Sequence, residues 1–570
     1  MTDAPRTLGL GRVPAIALAM SLACLIVAVG YARARYNQPG ATELFWLGEL
    51  VLYAAPALVL LTPRPVSQTE GRGIALLLPV VTYVIMQCYS PASFRFFDEL
   101  AHVQTAQSIL ATHHLFHQNT VLPVSPYYPA LEITTTALSS LSHLNVTLSG
   151  TIVVGAAHVL LGVGIYLLVL ELTNRPRIAA LAAVVYAAGP QYQFFTSYFI
   201  YEAIALPFML AALIAGAKLL KQDRWLRAGA WTLVAVAAIA VTAVSHHVTS
   251  YALIIFFLVI IIVRPFVGSV ARRSWQWPFL ISVFAACVGF GALWDLLVAK
   301  GTVAYFRPAV EALFHRAHSR PSPPPPPHSV SGSPPVVDTG LEYLATLLLL
   351  ALVVLGLWSL WRSRGQRNSS FALPLGVASL SVFGLVLVRV VSSNGVELAG
   401  RGFTYALVPA SLVCAVALRA ASFSLSKYLR YRGTRRARHY VRPGAWLSYF
   451  TAAPLIVLLV VAAGDIAGGW PAPYSRLPWP FQVAAWERSV DAYNVAAAQW
   501  FADYIPPNYG VASDEMTGDV IGALGHEADV EAVAYRLFGR NFTRADYKLV
   551  SLNGIEFVVL DLRLSQQLPA

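Results

Sequence analysis

Three residues in "SFRFFDELAHVQTAQSIL" (93–110) combine acid and imidazole chemistry within one helical turn: Asp98, Glu99 and His102. A helix through this stretch places Asp98, His102 and Thr105 on one face and Leu100, Val103 and Leu110 roughly opposite. A carboxylate held this way suits general-base work, and imidazoles suit phosphate binding, proton transfer or metal ligation. Acids at a helix start are also favoured by the helix dipole and its free N–H groups, so N-capping is the structural alternative. Two further stretches carry similar chemistry. "VSHHVTSY" contributes His246 and His247, and "NGVELAGRGFTYALVP" sets Glu397 and Arg401 four residues apart, either as a helical ion pair or with Arg401 as a phosphate clamp. Arg95, just before the acidic pair, is another cation for a phosphate.

These residues need a frame, and composition defines it. Apolar residues make up 57% of the chain and charged residues 12%, a balance no water-soluble domain could bury. About thirteen apolar segments reach the ~20 residues that cross a bilayer as a helix. The first is expected near 13–31, and the others include 73–90, 178–196, 249–264, 371–391, 402–420 and 445–466. Only helices satisfy their backbone internally over such runs, so an all-α polytopic membrane bundle is expected. The start of the chain has some features of a signal peptide but reads as a retained first helix.

Orientation follows from the basic residues. With the N-terminus cytoplasmic, the inner segments, which include "TNRPR", "KLLKQDRWLR", "RPFVGSVARRSW", "WRSRGQR" and "KYLRYRGTRRARHYVR", hold 24 of the 40 Lys and Arg. The net charge of +12 then reflects topology and attraction to anionic membrane lipids, with no nucleic-acid partner required. All histidines except His158 and His439 fall on the outer side or at its edge. The four cysteines lie in spans, form no CxxC pair, and read as packing residues.

The expected organisation is a transmembrane domain over 1–466 and an extracytoplasmic C-terminal α/β domain over 467–570. Two long outer segments interrupt the first, at 91–148 and at the Pro-rich 299–340, which reads as an extended spacer. In the tail, "DAYNVAAAQWFADYI" and "DVIGALG" have helical character, and "YGVASDE" and "IEFVVLDLRL" read as strands. The aromatics of "QYQFFTSYFIY", just before Glu202, read as an interfacial belt rather than a sugar platform. Glu202 and Arg389 are ionisable groups at membrane depth and secondary functional candidates.

An acidic pair directly after an early span, the helix "DELAHVQTAQSIL" and a "YYPAL" segment before the next span resemble the polytopic GT-C glycosyltransferases. The resemblance is to the bacterial group that includes the lipid A sugar transferases and protein mannosyltransferase-like enzymes. The odd span count and outer α/β tail are similar to mycobacterial cell-wall transferases of the same class. The resemblance implies a GT-C-like membrane domain in which Asp98, or its neighbour Glu99, is a general base on the acceptor or helps hold a metal. Here the acid follows the third span rather than the first, and His102 has no assigned counterpart. Nucleotide sugars stay in the cytoplasm, so the donor on the outer face would be a polyprenyl-phosphate sugar. The acceptor would be a glycan, lipid or protein of the envelope. Arg401, His246, His247, Arg95 or a divalent cation would stabilise the departing phosphate in an inverting displacement. A transporter or lipid-linked-sugar flippase is the alternative, and an envelope scaffold a further one. No HExxH or comparable ligand spacing suggests a metallohydrolase.

Overall fold

A computed structural model describes residues 10–302, 336–433 and 490–561, apart from 37, 63, 90–93, 95–96, 120, 194, 268–273, 364–368, 392–394, 491, 530–536 and 538–540. Its membrane part begins with α1 (Val13–Arg35), α2 (Ala41–Leu61) and α3 (Gln68–Tyr89). Two shorter helices, α4 (Phe97–Thr112) and α5 (Ala130–Ser142), separate these from α6 (Val146–Thr173). Then come α7 (Pro176–Ala187), α8 (Tyr201–Leu219), α9 (Trp225–Ser245), α10 (His247–Val263) and α11 (Trp277–Leu297). The bundle closes with α12 (Val336–Arg362), α13 (Ser369–Val377), α14 (Ser381–Val391) and the long α15 (Gly395–Gly433).

Ten helices among the described residues are long and apolar enough to cross a membrane, against the thirteen expected. The difference has identifiable sources. The 445–466 segment lies outside the described residues, and Thr346–Arg362 registers only as a shorter apolar helix. The segment expected as a span at 178–196 is a twelve-residue helix, α7, that stops at Ala187. Gly189 and Pro190 follow. Proline lacks the N–H that would continue the ladder, so the chain goes on as the single turn Pro190–Gln193 and the 3-10 turn Phe195–Ser197. By contrast, Asn145 caps α6 by accepting from Leu148 N at 2.8 Å, and Asn174 ends it in the left-handed region at φ 53°.

The contacts sort the helix ends onto two surfaces. At one, Arg12 pairs with Glu70 at 2.9 Å, and Glu171 takes Lys218 and Lys221 at 3.2 and 2.9 Å. The other surface gathers the start of α4, the start of α8, the α9–α10 junction and the first turns of α15.

The tail folds as an α/β unit. Strands β1 (Gly510–Ala512), β2 (Ala528–Asp529) and β3 (Ile555–Val558) form a parallel sheet in the order β2-β1-β3. It is flanked by α16 (Ala492–Tyr504), α17 (Glu515–Gly525) and α18 (Arg544–Leu552). Asp514 caps α17, and Thr543 with Asp546 forms a capping box on α18. This unit sits on α4: Leu100 shares the tail's apolar core with Ala498, Phe501, Val520 and Ile521, and Gln104 Nε2 donates to Gly522 O at 3.3 Å. Val103 of the same helix belongs to the core of the bundle. Helix α4 is therefore clamped between the tail and the bundle. Because the tail supplies a true apolar partner for Leu100, it takes part in the fold of α4.

The Pro-rich stretch 303–335 lies outside the described residues. Sidedness is open to a direct check. With the native cysteines replaced, single cysteines at Leu141 and Gln499 are expected to react with an impermeant thiol reagent in intact cells, and one at Arg224 only after permeabilisation. Labelling at Arg224 in sealed cells would reverse the orientation.

Candidate active site

The site is built around the unwound stretch between α7 and α8. Backbone groups at membrane depth need partners, and here the side chains supply them. Tyr53 donates to Ala187 O at 2.8 Å or Gln193 Oε1 at 2.9 Å, and Gln193 Nε2 donates to Glu49 Oε1 at 2.7 Å. Thr196 and Ser197 donate to Tyr192 O and Gln193 O, both at 2.8 Å. His158 joins this set, with Nε2 3.0 Å from Thr82 Oγ1 and Nδ1 3.2 Å from both Thr196 and Ser197 hydroxyls. The aromatics here are core rather than an interfacial belt. Tyr192, Phe195, Tyr198, Phe199 and Tyr201 are all buried, because the chain turns into the bundle instead of crossing it.

This stretch also receives α4. Phe199 N donates to Glu99 Oε1 at 2.7 Å, and Tyr201 N to His102 Nε2 at 3.5 Å. The Phe94 and Phe199 rings stack with centroids 4.8 Å apart. On its other edge His102 meets Glu132 of α5, with Nδ1 and Oε1 2.5 Å apart and both side chains fully buried. With Nε2 accepting from backbone, Nδ1 carries the proton and donates to Glu132. Glu99 and His102 are thus inward anchors of α4.

Asp98 is placed differently. Its side chain is 16% exposed and lies 3.6 Å from Arg401 Nη2, itself 37% exposed. Arg401 stands in the first turns of α15, with its guanidinium 5.9 Å from the Phe195 ring centroid. Behind the pair are aromatic and imidazole rings. Tyr201 lies 4.6 Å from His102 and 4.4 Å from His246, and Tyr128 lies 4.9 Å from His247 (centroid distances). His246 Nδ1 is 2.8 Å from Thr249 Oγ1 and 3.3 Å from Tyr405 OH. Both histidines are buried, so they line the back of the site rather than its opening. Glu202, also buried, lies beside Tyr405 and within electrostatic reach of Arg401 and Asp98.

The structure therefore brings Asp98, Glu99, His102, His246, His247 and Arg401 into one region. Arg95 lies outside the described residues, as do the side chains of Glu397 and Arg389. Sequence reasoning missed Glu132, Tyr128 and Asp295. Asp295 accepts from Tyr128 OH at 2.8 Å and from Tyr251 OH at 2.6 Å, fastening the turn before α5 to the end of α11. Burial pushes the Tyr128 hydroxyl well above the ordinary tyrosine range, so it stays a protonated donor. A signal for Glu132 was available: it directly follows "YYPAL", and an acid inside an otherwise apolar and hydroxylic helix demands a partner.

A divalent cation does not fit these side chains. Asp98 faces a guanidinium, one Glu99 oxygen is occupied by a backbone N–H, and one Glu132 oxygen meets His102. No group of three His, Cys, Asp or Glu is placed to hold a metal ion among the described residues.

An unwound segment carrying an acidic helix across the mouth of a multi-pass bundle defines a membrane protein of GT-C-like fold. Residues 4–553 match a family described as "Family of unknown function (DUF6541)", and the chain belongs to it. No curated protein matches. Among solved structures, it is similar to the oligosaccharyltransferase of Archaeoglobus fulgidus, crystallised with zinc and sulfate. There the TM-score is 0.53 at 14% identity, over 86% of this chain and 68% of that one. It is also similar to ArnT from Cupriavidus metallidurans bound to undecaprenyl phosphate, with TM-score 0.47 at 13% identity over 87% and 94% of the two chains.

The anchoring role of Glu99 gives a stability test. Glu99→Ala leaves Phe199 N–H buried without its acceptor and is expected to cost ~1–3 kcal/mol. Glu99→Gln keeps a carbonyl oxygen in place and is expected to cost less. Thermal unfolding of the purified variants measures both, and equal, negligible shifts would remove Glu99 from this role.

Proposed function

We propose that the chain is a membrane glycosyltransferase. It transfers a sugar from a polyprenyl-phosphate donor to a glycan, lipid or protein acceptor of the cell envelope, on the outer face of the membrane. The observation that carries the reading is the Asp98–Arg401 pair. An acid from the first helix after the third span meets a cation from a helix far along the chain, both reachable from outside and backed by a buried wall of rings.

The chemistry follows from that pairing. A donor whose lipid tail stays in hydrocarbon presents its phosphate at the membrane edge, where Arg401 accepts it as a charge-assisted partner. Engagement of the guanidinium by phosphate frees Asp98 to face the acceptor hydroxyl. Asp98 takes the hydroxyl proton as the oxygen attacks the anomeric carbon. The bond from that carbon to the phosphate oxygen breaks, its electron pair stays on the phosphate, and Arg401 stabilises the added negative charge. A single displacement inverts the anomeric centre. Glu99, His102 and Glu132 act as positioning residues, since they hold α4 without opening to the mouth. His246 and His247 contribute the dry back wall that raises the strength of the charge interactions in front of it. The family resemblance, and the fold shared with an oligosaccharyltransferase, support the same reaction class.

Transport or flipping is less well supported. The buried polar side chains around His158 and Gln193 bond one another and the unwound backbone, which accounts for their presence without a translocation path.

Asp98→Asn keeps size and capping capacity but removes the base, so turnover is expected to fall by ~10² or more. Arg401→Gln is expected to lower it by a similar ~10²–10³ through loss of charge stabilisation. The assay is sugar transfer from polyprenyl-phosphate-linked sugars in membranes with matched amounts of each protein. Near-normal turnover in Asp98→Asn would sink the catalytic assignment.

A further inference from the structure

Arg264 lies at the end of α10 remote from the site, and a seventeen-residue helix puts it ~25 Å from His247. It is completely buried, with 0% relative exposure. Its Nη2 donates to Gln276 Oε1 at 2.8 Å, and its guanidinium carbon lies 4.8 Å from the Trp277 ring centroid. Gln276 is fixed in turn, since its Nε2 donates to Leu220 O and Gln222 O, both at 3.1 Å. The Arg264 Nε and Nη1 atoms have no hydrogen-bond partner, and no acid pairs with the side chain among the described residues. Val263 and Val267, on either side in sequence, belong to an apolar cluster with Leu360, Leu373 and Val413.

Such a group is expensive. A guanidinium does not deprotonate in proteins, and a buried ion without a counter-charge costs several kcal/mol. Neither Gln276 nor the Trp277 ring neutralises it, and three N–H donors on Nε and Nη1 remain unspent. We infer that Arg264 anchors an anion site that takes a phosphate group, at the membrane surface opposite the transferase site. A guanidinium with three unspent N–H donors suits an anion with several oxygens. The position, at the end of an apolar span beside the half-buried Trp275 and Trp277, is the depth at which lipid headgroups lie. The same chemistry would serve a phospholipid headgroup or free phosphate, and the test separates them.

The full-length protein is purified in a phosphate-free maltoside detergent and buffer, then given phosphatidylglycerol, or inorganic phosphate, in the same detergent. An anion bound by the folded state raises the melting temperature by mass action. The wild type is expected to gain a few degrees with phosphatidylglycerol, Arg264→Lys part of that, and Arg264→Met clearly less. In detergent alone Arg264→Met should be at least as stable as wild type, because an unpaired buried charge has been removed. Native mass spectrometry should show phosphatidylglycerol retained by the wild type and lost from Arg264→Met. A response to inorganic phosphate alone would make the ligand a free anion rather than a lipid. Equal shifts in wild type and Arg264→Met, no shift in either, or an Arg264→Met protein markedly less stable in detergent alone would each overturn the proposal.

Discussion

Irregular backbone inside a membrane bundle is tolerated where its N–H and C=O groups are buried in the protein and find partners there, and that constraint shapes this molecule between Ala187 and Tyr201. The stretch is held from below by Glu49, Tyr53, Thr82 and His158, and from above by Glu99 and His102. Polar side chains that look costly at membrane depth are the means by which an unwound segment stays dry and ordered. The same segment places Phe195 beneath Arg401, so its conformation reaches the charged pair at the mouth.

The acidic helix is consequently determined on three sides. Its bundle face is fixed by Glu99 and His102, its α5 edge by Glu132, and its outer face by Leu100 and Gln104 against the tail. Asp98 is the acid left half-open, and its counter-charge comes from a different part of the chain. That separation of roles between neighbouring carboxylates is the central feature of the site. One is buried and spent on backbone. The other is partly exposed beside Arg401.

Much of this was legible in the sequence. Hydrophobic runs revealed the bundle, because that signal is local and the membrane imposes it strictly. Helix and strand patterns in the tail were equally local. Asp98 and Arg401 could be singled out as chemically apt, but their pairing could not, since nothing in either stretch encodes contact with the other. The 178–196 run read as a full span because its composition is apolar and aromatic throughout. Only Gly189 and Pro190 signalled the break, and the polar groups that compensate for it come from α2, α3, α4 and α6. Glu132 escaped notice for the same reason: the importance of a lone acid depends on the histidine that folding brings to it.

The account rests on a division of labour in which Arg401 binds the donor phosphate and Asp98 acts on the acceptor. Donor binding, measured apart from turnover, separates the two most directly. Titration of the purified protein with a polyprenyl phosphate is expected to show binding much weakened in Arg401→Gln and unchanged or tighter in Asp98→Asn, where the phosphate no longer competes with a carboxylate for the guanidinium. Wild-type affinity in Arg401→Gln, or loss of binding in Asp98→Asn alone, would contradict it.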